Sequence, residues 1–324
     1  ATAQQVAEAQ VATLYLQLAA EQESIFYGAT PQNALRTMEG ELDNLQQAWR
    51  WAERQGRTEL LAPSVNAFGE YYAASGRSAE GEALFALLTQ QLLAQPPPMG
   101  DGSAILCLRL LYQFCRILMI QAKVAEALVW CPELVALAQT AGNREFEARG
   151  RSLWGVALNG CGEIEASRQK FTEALTIARQ CGQPRLLGHV LFEFGRTLLD
   201  ESSGSPAATY LREALTIVRS QGYRTAEQWI LLYLGVNSIQ DGDFQAASRY
   251  LAEGLRLLQL TGNRHQAART ANALGYTEAM TGDYTAAFEH HAASRRLSRE
   301  IRHRIQESQA LHNLCTVQRQ VGNL

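Results

Sequence analysis

The chain has 324 residues, 47% of them hydrophobic and 19% charged, and a formal net charge of −3. That apolar fraction can bury a sizeable core and excludes a disordered polyelectrolyte. The slightly acidic balance argues against a dedicated nucleic-acid binder. No apolar run approaches the roughly 18 residues that a membrane span requires.

Residues 1–95 read as a helical region of low regularity. Phe68-Gly69, Tyr72 and Phe85 stand at spacings that return further along the chain. Three successive prolines, Pro96 to Pro98, then interrupt any helix. A Pro/Gly linker or loop is therefore expected over 96–102, most simply as a tolerated surface insertion. The segment 103–324 is the repetitive part.

Gly155, Gly195, Gly235 and Gly275 recur at intervals of forty, in similar contexts such as Leu153-Trp154-Gly155 and Ala273-Leu274-Gly275. Cys115 and Cys315 occupy the same phase. Two more glycine series share the period: Gly162, Gly242, Gly282 and Gly322, and Gly142, Gly182, Gly222 and Gly262. Each unit reads as two helices. In the last full unit, Ala268, Ala271, Leu274, Gly275 and Ala279 form a helical stripe, and Thr281-Gly282-Asp283-Tyr284 follows as a turn. Glycine can end the first helix in the left-handed conformation, and Asp243 or Asp283 can cap the second. The second helices carry Ala166, Ala207, Ala247 and Ala287, then Phe171, Leu211 and Leu251, then Ala174 and Ala214. Small residues let helices approach and large ones fill the holes between them.

This pattern resembles the tetratricopeptide repeat, with a small residue at position 8, Ala at 20, a large apolar residue at 24 and Ala at 27. The period here is forty rather than about 34, and the closing proline is missing. Longer helices account for the extra residues. The resemblance implies an all-α fold: an α-solenoid of antiparallel helix pairs wound into a right-handed superhelix. Arg304 to Val321 reads as the first helix of a further repeat, either a natural cap or the beginning of an interrupted unit.

The first hundred residues carry a second resemblance. Tyr15-Leu16-Gln17-Leu18-Ala19, Glu41-Leu42-Asp43-Asn44-Leu45 and Trp51-Ala52 are similar to the stretch that follows the ATPase core in bacterial STAND regulators. Gly76-Arg77-Ser78-Ala79-Glu80-Gly81 is similar to that family's Gly-Arg-x-x-Glu-Gly turn. The resemblance implies a non-catalytic sensor array that binds an inducer or partner and biases an upstream nucleotide switch. It also implies an upstream ATPase domain and a role in signal transduction or transcription regulation. The alternative is a free-standing tetratricopeptide-repeat peptide receptor or scaffold.

No catalytic constellation stands out. GxxxxGK[ST], HExxH and a GxGxxG after a strand are absent, so no enzyme activity, cofactor or metal is expected. Neighbouring His290 and His291 point to different helix faces and make a poor metal pair; the histidines read as surface or groove residues. The six cysteines form no CxxC pair and read as buried free thiols in a reducing compartment. With no signal-peptide pattern at the start, a cytoplasmic location is expected.

In a tetratricopeptide array, positions 2, 5, 9 and 12 of each first helix line the concave face. That places Arg109, Arg149, His189, Trp229 and Arg269 at position 2, and Tyr112, Ser152 and Asn272 at position 5. Arg116, Arg196 and Tyr276 fall at position 9, and Asn159 at position 12. The mixture of arginine, aromatic residues and asparagine suits a binding surface. An acidic or amide-rich ligand is expected: a peptide, a protein segment or a small inducer, with no direct nucleic-acid or membrane contact.

Overall fold

The computed structural model describes residues 3–28, 30–94, 102–199 and 206–322. Apart from Gly102, the expected linker at 96–102 lies outside the described residues. Among those described, all regular structure is helical. The helices are α1 (Ala3–Tyr27), α2 (Pro31–Gly40), α3 (Leu42–Arg54), α4 (Thr58–Leu61), α5 (Val65–Ser75), α6 (Ser78–Ala94), α7 (Gly102–Ile120), α8 (Val124–Thr140), α9 (Arg144–Gly160), α10 (Ile164–Cys181), α11 (Pro184–Leu198), α12 (Ala207–Ser220), α13 (Arg224–Gln240), α14 (Phe244–Thr261), α15 (Arg264–Thr281), α16 (Tyr284–Glu300) and α17 (Arg304–Gln320). The chain forms two compact units, Ala1–Phe194 and Gly195–Leu324, so α11 contributes to both.

Within each unit, neighbouring helices pair through one recurrent fit. The phase glycine of a first helix leaves a notch, and a residue sixteen positions later on the second helix fills it. In the first unit, Gly155 faces Phe171, whose ring also stacks on Phe194 at 4.8 Å. In the second unit, Gly195 faces Leu211, Gly235 faces Leu251 and Gly275 faces His291. A Cβ added at Gly235 would lie 2.5 Å from Leu251 Cγ, well inside contact distance. Cys115 fits the same rule by compensation. It is larger than glycine, and its counterpart Cys131 is smaller than Phe or Leu; both are fully buried. Total volume at the contact is conserved, as close packing demands.

The two remaining glycine series serve one purpose. They occupy the turns at both ends of the second helices, at twenty-residue steps, with positive φ. Ala122 and Arg302 stand in the same register with φ of 58° and 57°. A Cβ in that conformation is disfavoured by about 1–2 kcal/mol. Asp243 and Asp283 then cap the following helices, accepting from the backbone N–H of Ala246 and Ala286 at 2.9 and 3.0 Å. Glu163 opens α10 at the equivalent place without a side-chain cap.

The N-terminal part of the first unit departs from the repeat. Helix α1 packs on α2, α3 and α5. Trp49, Phe68, Tyr72 and Phe85 form a buried aromatic cluster, with Trp49 edge-on to Phe68 at 5.0 Å. The notch at Gly69 is filled by Gln113 of α7, so the phase residue here serves the contact with the next first helix. The Gly76–Gly81 turn has a clear physical basis. Gly76 takes φ 76°, Arg77 forks onto Glu80 at 2.7 and 2.8 Å, and Gly81 lies beneath Tyr72 and Ile117.

Two sequence expectations need correction. Ser103–Ile120 does reach the length and hydropathy of a membrane span. It carries Arg109 and Arg116, and 61% of it is buried inside the protein, which is the pattern of a core helix. The cysteines are not uniformly buried: Cys107, Cys115 and Cys131 are, whereas Cys161 and Cys315 are exposed.

The notch contact can be tested by a double-mutant cycle. Gly235→Ala should destabilise the second unit by about 1–3 kcal/mol through overpacking. Leu251→Ala should cost about 2–5 kcal/mol as a cavity. In the double variant the new methyl enters the vacated space, so denaturant titrations should show a combined loss smaller than the two single losses together. Arg302→Gly should raise the melting temperature, by an amount equivalent to about 0.5–1 kcal/mol; an unchanged or lower value would mean that the arginine side chain compensates for its backbone.

Candidate ligand-binding faces

In the first unit the first-helix face is crossed by a polar network. Tyr27, at the end of α1, donates its phenolic O–H to Glu70 Oε1 at 2.7 Å. Arg116 of α7 donates from Nη1 to the same oxygen at 2.6 Å and from Nη2 to Oε2 at 3.4 Å. Arg116 also reaches Gln113, which continues to Asn66 and then Glu23. The guanidinium of Arg185, in the first turn of α11, rests 3.8 Å from the centre of the Tyr27 ring. Arg149 of α9 lies 5.6 Å from the Tyr112 ring and pairs with Glu145 at 2.8 Å. Tyr112 Oη is 3.3 Å from His189 Nε2.

The electrostatics follow from this crowding. Burial opposes the charge on Glu70, yet Arg116 beside it and the hydrogen bonds from Arg116 and Tyr27 hold its carboxyl below the usual range. Burial, reinforced by Glu70, pushes the Tyr27 phenol up. Burial disfavours the Arg116 cation too, but Glu70 more than restores it. His189 is pushed down to about 4 by burial, with Arg149 and Arg116 acting in the same direction against Glu193.

The second unit presents a different first-helix face. Arg269 of α15 lies over the Trp229 ring of α13 at 5.5 Å, and Trp229 stacks on Tyr233. Tyr276 is 44% exposed, and Met280, one turn on, is 52% exposed. Aromatic, sulfur-containing and cationic groups therefore stand in solvent on one helix. Beneath them, His291 fills the Gly275 notch. It is buried rather than on the surface or in a groove, as the sequence had suggested. Asn272 Oδ1 accepts from Asn313 at 3.0 Å, so His291 Nδ1, also 3.0 Å away, carries the proton and donates. This ties α15, α16 and α17 together. Burial, with His290 adding to it, pushes His291 down to about 4.

The residues expected on the inner face thus fall into several settings. Arg116, Arg149 and His189 join the network of the first unit. Arg109 donates to the carbonyl of Ala62 at 2.6 Å. Tyr112 and Ser152 are buried, and Asn159 is partly buried near the end of α9. In the second unit, Arg196 and Trp229 are partly buried, Arg269 and Tyr276 are exposed, and Asn272 is engaged internally. Sequence reasoning missed Tyr27, Glu70 and Arg185. Glu70 follows Gly69 as Arg116 follows Cys115, so counting from Gly69 would have found it. Arg185 lies one helical turn before His189, outside the four counted positions.

A cleft of about 1190 Å³ on the first unit, beside α1, α3 and α6, was also not foreseen; Val11, Tyr15, Trp51 and Leu87 line it with Arg50 and Arg54. Among the described residues no group of three or more His, Cys, Asp or Glu could hold a metal ion.

These features define an all-α solenoid of tetratricopeptide-like helix pairs. No protein-family model matches the chain, and no curated protein matches it. Solved structures share the fold. A STAND protein with a tetratricopeptide repeat sensor, PH0952 from Pyrococcus horikoshii, is 15% identical with a TM-score of 0.55, over 86% of this chain and 43% of that one. The apo form of RapI is 12% identical with a TM-score of 0.59, over 86% of this chain and 98% of that one. NprR in complex with its cognate peptide NprX is 14% identical with a TM-score of 0.53, over 88% of this chain and 81% of that one.

His291 makes stability depend on pH in a defined window. Its pKa is lower in the fold than in the unfolded chain, so nothing is lost above about 6.5. As pH falls from there toward 4, the unfolded chain takes up a proton that the fold refuses. The loss from this site should approach roughly 3 kcal/mol. His291→Leu would recreate the Gly/Leu contact of the neighbouring repeats. Its denaturation midpoint should vary less between pH 6.5 and 4 than that of the parent; an equal slope would remove His291 as the cause.

Proposed function

We propose that this chain is a peptide- or protein-binding repeat module that recognises an acidic segment, serving as the sensor of a signal-transduction ATPase. The observation that carries the binding part is the open face of the second unit, where Arg269, Trp229, Tyr276 and Met280 meet solvent. Exposed aromatic residues and arginine at a helix surface are the usual energetic anchors of an interface. Arg269 can fork onto a carboxylate while the Trp229 ring supports it. The likeness in fold to NprR, solved with a peptide, supports the same reading.

The coupling to an ATPase is supported by the STAND-like wording of residues 15–19, 41–52 and 76–81 and by the fold shared with PH0952. A ligand that favours one arrangement of the helices would bias an attached switch by population shift. The alternative is a free-standing tetratricopeptide-repeat receptor or scaffold that uses the same face.

The binding reading can be tested by selecting displayed decapeptides against the whole chain and measuring the best binders by calorimetry. Trp229→Ala combined with Arg269→Glu should weaken binding at least tenfold while helicity at the assay temperature holds, with a lower melting temperature from the lost packing of Trp229. Acidic sequences should dominate the selection. Unaltered affinity in the double variant would remove the second unit as the binding face.

A further inference from the structure

The polar network of the first unit holds more cation than a structural ion pair needs. Arg116 bonds to the Glu70 carboxylate, Arg185 favours its charge from the Tyr27 ring, and Arg149 acts on the neighbouring Tyr27 phenol. Glu145 pairs with Arg149 at 2.8 Å, yet the buried Nε of Arg149 has no hydrogen-bond partner among the described residues. Arg185 spends its guanidinium on the face of the Tyr27 ring.

The way Glu70 enters this cluster is informative. The arginines stand on the first helices α7, α9 and α11, in successive repeats. Glu70 comes from α5, in the irregular N-terminal part, and bonds to the first of them, Arg116. Three donors converge on its carboxylate: the Tyr27 phenol at 2.7 Å and two Arg116 nitrogens at 2.6 and 3.4 Å. The pair is not sealed, since the Glu70 and Arg116 side chains are 19% and 26% exposed. Water reaches it without unfolding.

We propose that Glu70 occupies the seat of a ligand carboxylate: the first unit contains a carboxylate site built by Tyr27, Arg116, Arg149 and Arg185, filled by the chain itself, and an acidic ligand enters by exchange with Glu70. The proposal rests on the acidic-ligand reading above and adds a second seat, in a different unit. Exchange breaks no covalent bond. The carboxylate of the ligand takes the hydrogen bonds of Tyr27 and Arg116, and Glu70 turns to solvent. The tie that Glu70 makes from α1 and α5 to α7 is then released, so occupancy is reported to the N-terminal helices.

The test uses the whole chain and fluorescein-labelled acetyl-Glu-Glu-Glu-Glu-amide, measured by anisotropy at fixed ionic strength. Glu70→Gln keeps the shape and removes the competing charge, so its affinity should exceed that of the parent at least tenfold. Adding Arg116→Gln to that variant should abolish the gain. Glu70→Ser removes the competing carboxylate and leaves every donor of the seat in place, so it should tighten binding by a similar factor, which decides the matter if Glu70→Gln does not fold. Equal affinity in the parent and in a natively helical Glu70→Gln overturns the proposal, as does a gain that survives Arg116→Gln. Inorganic phosphate should not displace the peptide from Glu70→Gln at comparable charge; efficient displacement overturns the carboxylate assignment. If Trp229→Ala with Arg269→Glu abolishes peptide binding while Glu70→Gln leaves it unaltered, the exchange fails and the functional reading stands. No binding by any form would end both.

Discussion

The helix pairs depend on a missing side chain. Where a first helix carries glycine at its phase position, the second helix can bring a Phe, Leu or His ring or branch against bare backbone. The close approach fixes both the separation and the register of the two helices, because one side chain of the second helix fills the notch. The Cys115/Cys131 pair shows that the constraint is one of volume rather than identity. Dispersion and exclusion of water then act over the whole length of each pair, but the notch decides where the helices stop sliding.

With register fixed this way, each first helix presents the same few positions in successive repeats, and the two units use them differently. In the first, those positions meet Tyr27 and Glu70 from outside the regular array and become a charged, hydrogen-bonded cluster. Partial burial strengthens each of its interactions, and Glu70 stays ionised because Arg116 is close. In the second, no equivalent of Glu70 stands over Trp229 and Arg269 among the described residues, and Tyr276 and Met280 remain open to solvent. A single repeat plan thus yields one occupied face and one open face.

Histidine at position 291 marks where the plan bends toward another purpose. The other knobs in this register are Phe, Leu or Cys, which need no partner. His291 needs one, and Asn272 and Asn313 supply it from two further helices. The contact gains a hydrogen-bonded tie between three helices and acquires a pH dependence that an apolar knob would lack.

The repeat period, the all-helical character, the turns and the Asp243 and Asp283 caps were legible in the sequence. Each depends on residues close together in the chain: glycine where φ must be positive, aspartate where a helix begins, small and large residues at helical spacing. The pairing of Gly155 with Phe171 was half legible, since both residues recur but nothing local says that they touch. The candidate site was legible only in part. Arg116, Arg149 and His189 could be counted from the period, whereas Tyr27 and Glu70 belong to the irregular first hundred residues and reach them only through folding. Burial of Ser152 and His291, the engagement of Asn272, and the filling of the first unit's face by the chain's own carboxylate are decided by tertiary packing. Those outcomes rest on which groups become neighbours across tens of residues, and sequence spacing alone carries no record of that distance.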